Sequence, residues 1–252
     1  MTEYLFDVKE VTERLVQYVK EWFEENGSGC NAVLGISGGK DSTVAAAVCV
    51  RALGKDRVIG VLLPEGEQAD IADSYEICEF LGIEHYVINI KDGVEATYRE
   101  LEKNGLEVSR QTRINTPPRE RTKNIRAVCQ SRNGRMVNTC NLSEDYIGYF
   151  TIGGDGDGDF APFGELTATE VIAIGKYLGV PVHLVEKAPS DGLCGKTDED
   201  NFGFTYQVLD RYIRTGEIES AEDKEKIDRL HRINAFKLKP RSKFASELPF
   251  CG

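Results

Sequence analysis

The chain has 252 residues, 40% of them hydrophobic, enough to bury one large core. Its 42 acidic residues against 31 lysines and arginines give a net charge of −11, which argues against broad electrostatic binding of nucleic acid. No run approaches the ~20 apolar residues that span a bilayer, and the seven cysteines are scattered without a CxxC pair, so the pattern fits a cytoplasmic protein with reduced thiols and no membrane partner.

Apolar residues at helical spacing (Val8, Val11, Leu15, Tyr18, Val19, Trp22) predict a helix over 8–25 that stops at Asn26-Gly27. The apolar run 32–36 reads as a short buried strand. It is followed by the turn Ser37-Gly38-Gly39-Lys40-Asp41-Ser42 and a helix over 42–53. Strand 58–63, helix 68–81 and strand 85–89 continue the alternation. Such alternation predicts an α/β fold: a doubly wound, mainly parallel five-stranded sheet with helices on both faces, formed by a single domain over 1–252. Ligands in such sheets sit at the carboxyl ends of the strands, where the glycine turn falls.

The chemistry of the turn is legible from its residue types. Gly38 and Gly39 let the backbone bend and aim several N–H groups at one point, and the helix that follows adds its positive end. Ser37 and Ser42 can donate hydroxyl hydrogen bonds to the same anion. Asp41 beside a phosphate makes sense when a divalent cation lies between them. The spacing is not that of a Walker A loop, since Lys40 is followed by Asp41.

Between Lys103 and Arg135 the chain concentrates positive charge, with Pro117-Pro118 introducing a helix start at Arg119-Glu120-Arg121. Arginine forks suit a diphosphate-bearing ligand. A strand over 135–139 leads into a helix from about Asn141 that carries Glu144, so Asp41 and Glu144 can face one Mg²⁺. The run Gly153-Gly154-Asp155-Gly156-Asp157-Gly158-Asp159 fails the EF-hand pattern at positions 6 and 12 and reads as a glycine-hinged loop that closes over a substrate. Residues 169–178 predict a further helix. The loop Lys187 to Gly192, a capped helix start near Thr197 and a basic patch over 237–243 complete the chain.

The hexapeptide at 37–42 resembles the SGGxDS loop of the ATP pyrophosphatase superfamily, with its adenine nucleotide alpha-hydrolase type of Rossmann-like fold. Across nearly the whole chain the motif order resembles the ammonia-dependent NAD synthetase family. Asn115-Thr116-Pro117-Pro118-Arg119-Glu120-Arg121 is similar to its NxxARxR segment, and Asn138-Thr139 through Glu144 to its GTxxxxE stretch. Gly148-Tyr149-Phe150-Thr151 with Gly154-Asp155, Asp159 and Pro162 follows its GYxT…GD…D…P pattern. Lys187-Ala188-Pro189-Ser190 and Asp198-Glu199…Gly203…Tyr206…Asp210 complete the series.

The resemblance implies conversion of deamido-NAD, ATP and ammonia to NAD, AMP and pyrophosphate through an acyl adenylate. By motif, it implies ATP-phosphate contacts from Gly35, Ile36, Ser37, Gly38, Gly39, Lys40, Asp41 and Ser42, with Thr139 and Ser190 lining the ATP site. Mg²⁺ would be held by Asp41 and Glu144, and deamido-NAD contacted by Arg119, Asp159 and Lys237. Asp41, Ser37 and Asp155 are the candidate catalytic residues, Asp155 and Asp159 the candidate bases toward ammonia. A homodimer is implied, with ammonia either free or delivered by a separate glutaminase, since the chain has no glutaminase domain. The chain departs from the family at Ile152 and Ala168, where many members have lysine, and at Ala235-Phe236 in place of His-Lys. The alternatives are another ATP pyrophosphatase that amidates or thiolates a different carboxylate or nucleobase, and a non-catalytic nucleotide-binding module.

Overall fold

The computed structural model describes residues 4–187 and 198–239. Its centre is a parallel sheet of β1 (Asn31–Gly35), β2 (Val58–Leu62), β3 (Glu84–Val87) and β4 (Gly134–Met136), ordered β3-β2-β1-β4. Register pairs Val33 with Ile59 on one side and with Met136 on the other. In chain order the helices are α1 (Val8–Asn26), α2 (Lys40–Leu53), α3 (Ile71–Leu81), α4 (Lys91–Lys103), α5 (Arg110–Ser131), α6 (Leu142–Ile147), α7 (Ala168–Tyr177), α8 (Val182–Val185), α9 (Asp198–Phe202), α10 (Tyr206–Thr215) and α11 (Ala221–Asn234).

Strand residues alternate between two cores, as the twofold side-chain period requires. Ala32, Leu34, Val58 and Leu62 join a core built with α1, α2, α3, α7 and α8, whereas Val33, Ile59 and Val61 join one built with α4 and α5. Both faces of the sheet are therefore covered, which is why its two central strands are almost wholly apolar. A third cluster, formed by Ile147, Phe202, Phe204, Tyr206, Leu209 and Ile227, joins α6, α9, α10 and α11.

The α/β class and the layering agree with the expectation from sequence; three details differ. The sheet has four strands among the described residues where five were expected, with one isolated parallel bridge between Val137 and Phe160 beside it. Pro162, which has no N–H to donate to a ladder, follows two residues later. Helix α5 begins at Arg110, not at Arg119, and runs through Pro117 and Pro118. Ser109 caps its start by accepting the Thr112 N–H at 3.1 Å. Pro117 cannot satisfy the Arg113 carbonyl, and the Tyr98 hydroxyl donates to that oxygen instead, at 3.3 Å. Helix α4, absent from the expected elements, buries Val94, with Tyr98 and Leu101 following it at helical spacing.

Candidate active site

The strand-to-helix turn after β1 forms the first half of the site. Gly38 has φ +75°, and a Cβ there would lie 2.7 Å from Asp73 Cβ and 3.0 Å from the Ser74 nitrogen, so only glycine fits against α3. Gly39 caps α2, whose first residue is Lys40. The hydroxyls of Ser37 and Ser42 stand 3.1 Å apart, and Ser42 Oγ accepts the Ser37 N–H at 3.2 Å. The turn thus gathers two hydroxyls at the positive end of a 14-residue helix.

The second half comes from α6. Asn141 caps this helix in a capping box: its side chain accepts the Ser143 and Glu144 N–H groups, and Glu144 reaches back to the Asn141 N–H at 3.3 Å. The Asn141 amide then donates to Asp41 Oδ1 at 2.9 Å, binding the two halves directly. Lys40 lies between the carboxylates with only 3% of its side chain exposed, its Nζ 2.8 Å from Asp41 Oδ2 and 4.0 Å from Glu144 Oε1. The Tyr206 ring covers the ammonium, its centroid 4.8 Å away, and the Tyr206 hydroxyl donates to Asp198 Oδ2 at 3.2 Å.

Burial pushes Glu144 well above the usual carboxylate range; Asp41 adds to the rise and Lys40 opposes it. Burial alone would lower the Lys40 ammonium, but Asp41 and Glu144 outweigh it and raise its pKa. Burial also raises Asp198, with Lys40 pulling the other way. Among the described residues no group of three or more His, Cys, Asp or Glu is arranged to hold a metal alone. Asp41 and Glu144 supply two hard oxygen donors, a set that suits a small divalent cation once a ligand adds further oxygens.

The glycine loop at 153–159 is pinned down. Arg126 pairs with Asp157 at 3.0 Å and with Asp159, while Asp159 Oδ2 accepts the Met136 N–H at 2.7 Å. Asn138 donates to the carbonyls of Asp155 and Asp157 at 3.0 and 3.1 Å. Gly158 comes so close to Asn138 that a Cβ would lie 2.6 Å from Asn138 Cβ. Asp155 accepts the Thr151 N–H at 3.1 Å. Arg119 is exposed and donates to the Ile152 carbonyl at 3.2 Å, and Lys237 donates to the carbonyls of Gly148 and Phe150 at 2.6 and 2.9 Å.

The expected residues therefore fall into two groups joined by the segment from Asn138 to Glu144. Gly35, Ile36, Ser37, Gly38, Gly39, Lys40, Asp41, Ser42, Asn141 and Glu144 meet at the carboxyl end of β1, and Thr139 lies half-buried just after β4. Arg119, Asp155, Asp159 and Lys237 belong to the glycine-loop side. Ser190 lies outside the described residues. Ile152 is 50% exposed, whereas Ala168 is buried and its N–H donates to Ser143 Oγ at 2.9 Å, so α6 and α7 close over that position. Four residues that were named only as parts of motifs, without a role, also stand here. Asn141, Asp198 and Tyr206 adjoin the carboxylates, and Arg121 reaches the end of β2 by donating to the Leu63 carbonyl at 3.2 Å. The capping-box spacing from Asn141 to Glu144 was the one available signal for Asn141.

A parallel sheet with a glycine turn at the carboxyl end of its central strand and paired carboxylates across from it defines an α/β nucleotide-handling enzyme. The NAD synthase family model matches residues 11–247. An NH(3)-dependent NAD(+) synthetase from Thermococcus kodakarensis is 39% identical over 208 residues, spanning 82% of this chain and 80% of the relative. The chain belongs to the NAD synthase family, a family of ligases that form C–N bonds. Among solved structures, NMN synthetase from Francisella tularensis aligns with a TM-score of 0.87 and 34% identity, over 95% of this chain and 99% of that one. The NH3-dependent NAD synthetase from Campylobacter jejuni aligns with a TM-score of 0.77 and 27% identity, over 96% and 100%.

Proposed function

We propose that this chain amidates deamido-NAD to NAD with ammonia, driven by cleavage of ATP to AMP and pyrophosphate. The observation that carries the reading is the meeting of Asp41 and Glu144, 103 positions apart, beside the glycine turn, bridged by Asn141. A nicotinate carboxylate is a poor acyl donor. Its oxygen attacks the α-phosphorus, the bond to the β-phosphate oxygen breaks, and pyrophosphate leaves. Ammonia then adds to the acyl carbon, AMP departs with the bonding pair, and the nitrogen gives up a proton.

In this reading the chain positions reactants and stabilises charge and needs no side-chain nucleophile. The N–H groups at the start of α2 and the hydroxyls of Ser37 and Ser42 receive the ATP phosphates. Asp41 and Glu144 fit Mg²⁺, which when bound would neutralise charge on the departing pyrophosphate. Thr139 and Ser190 line the nucleotide, Arg119, Asp159 and Lys237 meet the substrate, and Asp155 is the candidate acceptor of the ammonia proton. The active form is a homodimer that takes free ammonia or ammonia from a separate glutaminase.

A second reading, amidation of nicotinic acid mononucleotide to NMN, is favoured by the higher TM-score to the Francisella tularensis NMN synthetase. Purified protein with Mg²⁺-ATP and ammonium, given deamido-NAD or nicotinic acid mononucleotide in parallel, decides between them. NAD formed in step with AMP, and at higher kcat/KM than NMN, is expected; the reverse order selects the mononucleotide. AMP without either amide overturns both.

A further inference from the structure

Lys40 is an unusual neighbour for a metal pair. Its ammonium is buried, 2.8 Å from Asp41 Oδ2 and 4.0 Å from Glu144 Oε1, beneath the Tyr206 ring. The other Asp41 oxygen is taken by Asn141, and Glu144 is held by the capping box, so the ammonium stands at the unshared edges of both carboxylates. It also follows the glycine turn directly, as the first residue of α2.

We propose that Lys40 is the resident counter-ion of the Asp41–Glu144 pair and a positioning residue for metal loading. It keeps the two half-buried carboxylates together when no metal is bound, and a divalent cation must displace its ammonium from Asp41 Oδ2 to enter. This rests on the reading above that Asp41 and Glu144 are the metal carboxylates. Two like charges cannot share so small a cage without strong repulsion, because Coulomb energy at about 4 Å is several times RT even at an intermediate dielectric. The ammonium therefore sets the metal requirement of the empty enzyme: an uncharged side chain at position 40 leaves the Asp41–Glu144 cage open to a cation, which enters at lower metal concentration, while the cage loses its counter-ion when empty.

The test is a titration of the nucleotide-free protein with Mn²⁺ alone, followed by calorimetry and by loss of the free-Mn²⁺ paramagnetic signal. Wild type, Lys40→Met, Lys40→Gln and the double variant Lys40→Met/Asp41→Asn are compared. Lys40→Gln keeps a donor toward Asp41 and guards against a Lys40→Met chain that does not fold. Both single variants are expected to bind Mn²⁺ about tenfold more tightly than wild type, and the gain is expected to vanish in the double variant. Their melting temperatures are expected to fall below wild type in chelator and to recover with Mn²⁺, since a ligand that binds only the folded state stabilises it. Equal or weaker Mn²⁺ affinity in the single variants, a gain that survives Asp41→Asn, or unchanged melting in chelator would each overturn the proposal. No substrate is present, so these outcomes are separate from whether deamido-NAD is amidated.

Discussion

The two ends of the site are built in different ways. At the nucleotide end, six consecutive residues make the turn, and a four-residue capping box supplies the opposing carboxylate. At the glycine-loop end, Arg119, Arg126, Asn138 and Lys237 reach in from outside it to hold residues 148–159. A motif that makes its own hydrogen bonds carries its geometry in its spacing. A loop held by distant side chains carries almost none of it. The first end is therefore the more sensitive to single changes in its own residues, and the second to changes in the helices that pin it.

Removing one carboxylate tests the nucleotide end most severely. Asp41→Asn is expected to lower AMP release with deamido-NAD and ammonium by about a thousandfold, read as single-turnover product formation. A protein that turned over normally would remove the turn from the chemistry. Next in size, Gly38→Ala must place a Cβ at φ +75° and 2.7 Å from Asp73 Cβ. Urea unfolding is expected to show a loss of about 2 kcal/mol or more, together with weakened ATP binding. The contrast with Gly29, where φ is +72° but nothing stands within 4 Å, isolates the clash with α3: Gly29→Ala is expected to cost only about 1 kcal/mol.

At the other end, Arg126→Gln leaves Asp157 and Asp159 without their shared partner. These groups are partly exposed, so the stability loss is expected near 1 kcal/mol. The larger sign is a several-fold rise in KM for the dinucleotide with ATP binding unchanged. Equal effects on both substrates would dissolve the division between the two ends.

The smallest effect is one of pH. Burial raises Asp145 on α6 from 3.8 to about 6. A carboxylate whose pKa is higher folded than unfolded binds its proton more tightly in the native state, so its cost is absent below pH 3.8 and complete above about 6. Asp145 is half-buried, so solvent screening cuts this cost to about 1 kcal/mol, and Asp145→Asn is expected to raise the melting temperature at pH 7.5 by about 3 °C and to leave it unchanged at pH 3.5. A gain of equal size at both values would assign it to something other than this charge.

Much of the fold was legible because its signals are local. Alternating apolar runs and amphipathic stretches marked β1, β2, α1, α2 and α3 within a few residues of their observed bounds. The glycine turn and the spacing of the motifs marked the family. What escaped notice depended on partners far along the chain. Pro117 and Pro118 look like a helix start until Tyr98 is placed to satisfy the carbonyl that Pro117 leaves open. Asp157 and Asp159 look like a hinged loop until Arg126, on a helix 31 residues earlier, is turned toward them. Lys40 looks like a phosphate ligand until Glu144 and Tyr206 close around it.

The sequence by itself determined the layered α/β architecture, the glycine turn at the end of β1 and the helix start that carries Glu144, because period, glycine placement and cap spacing are short-range properties. Only the tertiary structure decided where charge points. It brought Asn141 onto Asp41, buried Lys40 between the carboxylates and fastened the glycine loop to α5. Those choices depend on which distant groups share a low-dielectric space, and no local pattern of residues records that.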